Sequence, residues 1–254
     1  MSESTLSLSY VELRRRVGRY LGYDRNPAQW TTAESQDVTD VILSGLRQFY
    51  APPVEHDWRF LKVNAELDLV AGQGDYDLPD DYGSLGSEFL TYPSNTQSIF
   101  VQVTDEPKIR ILRQSPTGTR RPELAAVRPK ITDGSTGQRF EILFWPVPDA
   151  VYTLTYVYEA LPYSLSDNRI YPYGGEAHAE TILQSCLAAA ELHIREEKGP
   201  QWQTFMERLQ ASIHKDKQLA PRNHGQARNT RNYFRSDVEP TRGSYIVTVN
   251  GEMP

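Results

Sequence analysis

Apolar positions in this chain recur at two spacings, and the switch between them divides it. Tyr10, Leu13, Val17 and Tyr20/Leu21 recur at three or four residues, which is one face of an α-helix. Ser9 is a candidate N-cap, and Gly22 and Asn26-Pro27 close the run. A second stripe, Val38, Val41/Ile42, Leu46 and Phe49, follows Thr31 or Thr32 as cap. Glu34, Asp37 and Asp40 stand near its start, where the helix dipole favours acids, and Ala51-Pro52-Pro53 stops it.

From residue 54 to about 167 the spacing becomes two. Leu61, Val63, Ala65, Leu67 and Leu69 alternate with polar residues, predicting a strand over 60–70 with one wet face. Tyr152, Leu154, Tyr156 and Tyr158 alternate with Val151, Thr153, Thr155 and Val157 in the same way. Shorter runs predict strands at 99–103, 109–112, 126–131 and 140–145. Pro146-Val147-Pro148-Asp149 lies between two β-rich runs and predicts a hairpin. Gly72-Gln73-Gly74-Asp75 and 132–137 read as turns, and 115–122 as a basic loop. Short strands at such intervals predict a small sandwich or barrel.

Helical spacing returns after Gly174-Gly175-Glu176, with the seam Ala179, Leu183, Cys186/Leu187, Ala190 and Ile194. Its many alanines allow close packing and make Cys186 a small buried residue. Beyond Lys198-Gly199, Pro200 opens a further helix with the face Trp202, Phe205/Met206, Leu209 and Ile213, giving an αα-hairpin. Two N-terminal helices make a poor core alone and need this second pair. The expected fold is therefore α+β, with a split four-helix domain from residues 1–53 and 170–217. A small β-sandwich or barrel, 54–169, is inserted between its halves. Past Gln218 core periodicity ends, which predicts an extended arm over 218–254. Five arginines against three acids give that arm a net +2, and Tyr245–Val249 is strand-like.

Composition narrows the function. A net charge of −6 argues against wholesale nucleic-acid binding, though local basic patches remain open. No apolar run approaches the roughly 20 residues that span a bilayer. The first residues lack a basic and an apolar region, so secretion is not expected. A lone cysteine excludes an internal disulfide and fits a reducing compartment.

Candidate chemistry is sparse. Five histidines are scattered without metal-ligand spacing, so no metal or cofactor is expected. Gly83-Ser84-Leu85-Gly86 has its glycines at the wrong offsets for a nucleophile elbow, and no phosphate-binding glycine loop is present. Four carboxylates between Asp75 and Asp81 are compatible with acid–base work or Ca²⁺, but Pro79-Asp80-Asp81 is ordinary turn chemistry. No enzyme is expected. Arg14, Arg15, Arg16 and Arg19 form either a solvated helix face or a surface for an acidic partner or phosphate.

Four stretches together carry a resemblance: Tyr76–Tyr82, Leu143–Asp149, Tyr156–Pro162 and the helices from Glu176 to His214. In their order, the chain resembles the head-to-tail adaptor (connector) proteins of tailed bacteriophages. It is most similar to those beneath the portal of short-tailed phages, including the tail tubular protein A type. The resemblance implies a structural virion protein of the phage neck, assembled in the host cytoplasm. Its partners would be the portal protein, a tail tube or nozzle protein, and further copies in a ring, usually dodecameric, with DNA passing through the lumen. Such proteins dock on the portal through helices and C-terminal segment.

On that reading Arg228, Arg231, Tyr233, Phe234, Arg235, Tyr245, Val247 and Val249 are the expected contacts with portal or neighbour. Arg14, Arg15, Arg16 and Arg19 would face the lumen or an acidic partner. Other readings stay open, another tail or baseplate component among them. A carbohydrate-binding β module would stack sugars on Trp58, Tyr92 and Trp145, and a nucleic-acid-binding protein would use the Arg14–Arg19 run with the basic arm.

Overall fold

The computed structural model describes residues 4–92, 100–114, 118–132, 134–135 and 137–218. The chain is α+β. α1 (Tyr10–Tyr20) and α2 (Thr32–Tyr50) come first. Each starts at its expected cap. The Ser9 hydroxyl accepts the Glu12 N–H at 3.3 Å. Thr31 and Glu34 form a capping box, the hydroxyl accepting one N–H and the carboxylate the other. There follow β1 (Lys62–Leu69), β2 (Asp75–Asp77), β3 (Tyr82–Leu85), β4 (Phe89–Thr91) and β5 (Phe100–Val103). Next are α3 (Glu106–Arg113), β6 (Leu124–Pro129), β7 (Phe140–Trp145), β8 (Tyr152–Ala160), α4 (Gly175–Arg195) and α5 (Pro200–Gln218).

Residues up to Lys217 form one compact unit containing separate apolar clusters. One cluster draws on four helices: Leu13 and Val17 from α1, Ile42 and Phe49 from α2, Ile182 and Cys186 from α4, Phe205 and Leu209 from α5. These are the stripes that the 3.6-residue spacing marks. Trp58 joins them, 1% exposed, its indole N–H donating to the Phe49 carbonyl.

All eight strands belong to one mixed sheet, ordered β1-β8-β4-β5-β6-β7-β2 with β3 also on β8. It is a curled half-barrel, so the sandwich alternative does not hold. β1 and β2 lie at opposite ends of that order, yet residues 70–74 alone join them. The Tyr76 hydroxyl clasps this join, accepting the Val70 N–H at 2.7 Å within reach of the Val70 and Gln73 carbonyls. Leu154, Tyr156 and Tyr158 of β8 point inward as their alternation requires, with Leu90, Val101, Ile142 and Phe144.

Two sequence expectations fail. Residues 109–112 are helical, within α3. Pro107 fits a first helical turn, and the Glu106 carboxylate pairs with Arg110 at i+4, 2.6 Å away. Ile109 plugs onto Ala126 and Leu143, the outward-facing residues of β6 and β7. The pairing of β5 with β6 is parallel and needs such a crossover. Secondly, β7 and β8 form no hairpin: β7 lies between β6 and β2, and β8 between β1 and β3/β4. Two prolines strip donors from the connection. Its carbonyls are used elsewhere, Val147 accepting from the Arg120 N–H and Pro148 from the Gly72 N–H. The turn expected at Pro79-Asp80-Asp81 is present between β2 and β3, closed by the Tyr82 N–H donating to the Pro79 carbonyl at 3.0 Å.

Candidate interaction surfaces

The arginine run on α1 does not act as one patch. Arg14 lies against Trp30 and Tyr10, its guanidinium 5.4 and 5.7 Å from the ring centroids. It also donates to the Ser35 hydroxyl at 2.8 Å, tying α1 to α2. Arg16 is neutralised by Glu12 at 2.6 Å and approached by Glu180 of α4 at 3.8 Å. The side chains of Arg15 and Arg19 are exposed and make no hydrogen bond or ion pair among the described residues. They stand one helical turn apart on one face, two like charges at the separation where helix side chains meet. The geometry thus selects two of the four as free cations and gives the other two structural contacts.

The acidic run is neutralised piece by piece. Asp75 meets Arg113 at 2.7 Å, Asp77 meets Lys130 at 2.6 Å, and Asp80 meets Arg139 at 3.1 Å. Asp81 accepts the Tyr158 hydroxyl at 3.0 Å. Burial, with that bond, pushes the Tyr158 phenol up to about 12. Four acids spread over four separate partners pin the turns of the sheet and do not converge.

The aromatic platforms needed by a carbohydrate module are engaged elsewhere. Trp58 is in the helical core. Arg121 covers the Tyr92 ring at 3.8 Å, and Trp145 packs against the cluster under α3.

Two surfaces went unmarked in the sequence. Between β8 and α4, Leu161, Tyr163, Ile170, Tyr171 and Tyr173 are exposed, while Leu165 among them anchors into the helical core. The segment is fastened by the Ile170 carbonyl, which accepts the Tyr10 N–H at 2.7 Å, and by Arg169 stacked 3.5 Å over Tyr163. Its clustered tyrosines were a legible signal, but they fit neither period. The second is β1, whose side away from β8 pairs with nothing among the described residues.

A buried polar group sits where α5 ends. His56 and the Asp216 carboxylate are 3.0 Å apart, and Asp216 also accepts the Arg59 N–H at 3.3 Å. His178 is enclosed by Phe49, Trp58 and Phe60, and burial lowers its pKa. Cys186 is fully buried, which pushes its thiol up to about 12 and leaves it unreactive.

The expected contacts Arg228, Arg231, Tyr233, Phe234, Arg235, Tyr245, Val247 and Val249 lie outside the described residues. No helix among the described residues is long and apolar enough to cross a membrane. No curated protein matches the chain. A family model described as SU10 adaptor protein matches residues 8–232, which takes in the helical core and the whole sheet. By that match the chain belongs to the SU10 adaptor protein family and is a structural head-to-tail adaptor of a bacteriophage.

Proposed function

We propose that the protein forms a ring between the portal and the tail of a short-tailed phage, in the manner of the tail tubular protein A type. The observation that carries this is the family match over residues 8–232. In this reading residues 1–53 and 170–217 act as one helical domain toward the portal. Residues 54–169 face the tail tube or nozzle, and 218–254 form the arm that contacts portal or neighbour. Copies surround a lumen through which DNA passes, a dodecamer being the expected number. Arg15 and Arg19 support the reading, because two adjacent uncompensated cations per subunit are suited to an anionic surface in the assembly. Free subunits stay largely monomeric and close into a ring on the portal. Electron microscopy of the protein mixed with its portal tests this: rings stacked on the portal are expected, and failure to bind overturns the reading.

A further inference from the structure

β1 is hydrogen-bonded along its whole length on one side only, to β8, from Lys62↔Glu159 to Leu69↔Tyr152. Its other side is an eight-residue row of unpaired backbone groups among the described residues. Such a row is a template for another strand.

The apolar face of β1 is also incompletely covered. Val63, Ala65 and Leu67 oppose Tyr158, Tyr156 and Leu154, so they point toward the interior of the half-barrel. Their partners on β8 are buried. Val63 is nevertheless 40% exposed, and Ala65 and Leu67 are only half-buried. A rim of apolar side chains on the core face of an edge strand is what a further strand would cover. Asn64, Glu66 and Asp68 point the other way and are exposed.

Outside the described residues the chain carries one segment with matching properties. Tyr245, Val247 and Val249 alternate with Ile246 and Thr248, so a strand here would have one wholly apolar face. The 26 residues from 219 to 244 precede it. Extended, they span at most about 86–94 Å, ample to reach an adjoining subunit. Charges set the direction. Arg242 precedes the segment and Glu252 follows it, while β1 begins at Lys62 and ends near Glu66 and Asp68. An antiparallel strand brings Arg242 to the acidic end and Glu252 to the lysine, whereas a parallel one opposes like charges.

We infer that Tyr245–Val249 of one copy adds antiparallel to β1 of the next copy, laying Tyr245, Val247 and Val249 over Val63, Ala65 and Leu67. The inference rests on the ring reading above and commits the arm to the neighbour over the portal. Donor and acceptor are different surfaces, so the contact is heterologous and propagates around a ring without pairing copies into closed dimers. Backbone bonds supply the affinity, and the alternate apolar side chains fix the register.

The test mixes full-length A65C protein with full-length V247C protein on the purified portal under mild oxidation, Cys186 being buried in both. A disulfide joining positions 65 and 247 can form only between copies. Directly opposed positions have the Cα separation a disulfide needs, so A65C should yield about tenfold more covalent dimer than N64C, which faces away. V63C and L67C mixed with V247C report neighbouring registers. Rings on the portal without any bond from position 247 to β1 overturn the inference and leave the ring reading standing. So does a bond from 247 to the portal instead. If no ring forms with unmodified protein, it is the ring reading that has failed.

Discussion

Gly45 of α2 lies against Cys186 of α4 with no room for a methyl group between them: a Cβ at position 45 would meet the Cys186 Cα at 2.5 Å and its N at 2.7 Å. The obstacle is backbone, so no rotamer change relieves it. Close approach here lets Val41, Ile42 and Phe49 reach into the seam that Ile182, Cys186 and Ala189 present.

Gly45→Ala is therefore expected to destabilise the fold by about 1–3 kcal/mol, the range for overpacking a filled core. Urea unfolding would show a lower midpoint. A midpoint unchanged or raised by the helix propensity of alanine would mean that α2 and α4 are further apart than described. Cys186 should stay unmodified by thiol reagents until the protein unfolds, since its thiol is fully buried.

Glu191 is 2% exposed, and its carboxylate accepts the N–H groups of Gln201 at 2.9 Å and Trp202 at 3.2 Å. A buried acid on α4 thus caps the start of α5, where Pro200 offers no donor and the helix dipole favours negative charge. Glu191→Ala should cost about 1–3 kcal/mol, because it strands two part-buried donors and opens a gap. Glu191→Gln should cost less. Equal stability of all three proteins in chemical denaturation would refute the capping role.

Stability should fall in mild acid because of His178. Burial holds its folded pKa below the ordinary value, an effect that nearby Asp216 opposes and Lys215 and His56 reinforce. The unfolded chain then binds the proton more readily, so the contribution is intact above about 6.5 and is lost as pH falls from there toward the folded value. Urea midpoints across pH 5 to 8 should decline below about 6.5 in the natural protein. In His178→Leu this part of the decline should vanish. An identical slope in both would assign the acid sensitivity to other groups.

Much of this architecture was legible because each period has one physical meaning. The stripes of α1, α2, α4 and α5 reached the core except for Ile194, which the last turn of α4 leaves exposed, and β8 turned Leu154, Tyr156 and Tyr158 inward. What failed depended on partners distant in sequence. Ile109-Arg110-Ile111-Leu112 has strand-like composition, and the crossover between β5 and β6 adds to Pro107 and the Glu106–Arg110 pair in making it a helix. The proline segment after Trp145 signals a turn locally, while Gly72 and Arg120 decide where its carbonyls go. Along the chain the four arginines of α1 read as one run of charge. Trp30, Ser35, Glu12 and Glu180 distinguish Arg14 and Arg16 from Arg15 and Arg19, and of these the spacing carries only Glu12, four residues before Arg16.

Arg15→Glu with Arg19→Glu should leave thermal stability within about 0.5 kcal/mol, as expected for exposed residues without partners. Assembly on the portal or retention of packaged DNA should nevertheless weaken. Arg14→Glu should instead destabilise the isolated subunit, because it loses the stack on Trp30 and the bond to Ser35. Wild-type particle yield and stability with both Arg15 and Arg19 reversed would assign the pair to plain solvent.

The most direct measurement is electron microscopy of the purified protein alone, with its portal, and with its portal after truncation at Gln218. Single subunits are expected for the protein alone, and closed rings on one end of the portal with the full chain. The protein truncated at Gln218 is expected to fold but fail to join, since the helical apolar stripe of the sequence ends at Ile213. Stable rings without a portal, or truncated protein that assembles as well as the full chain, would contradict it.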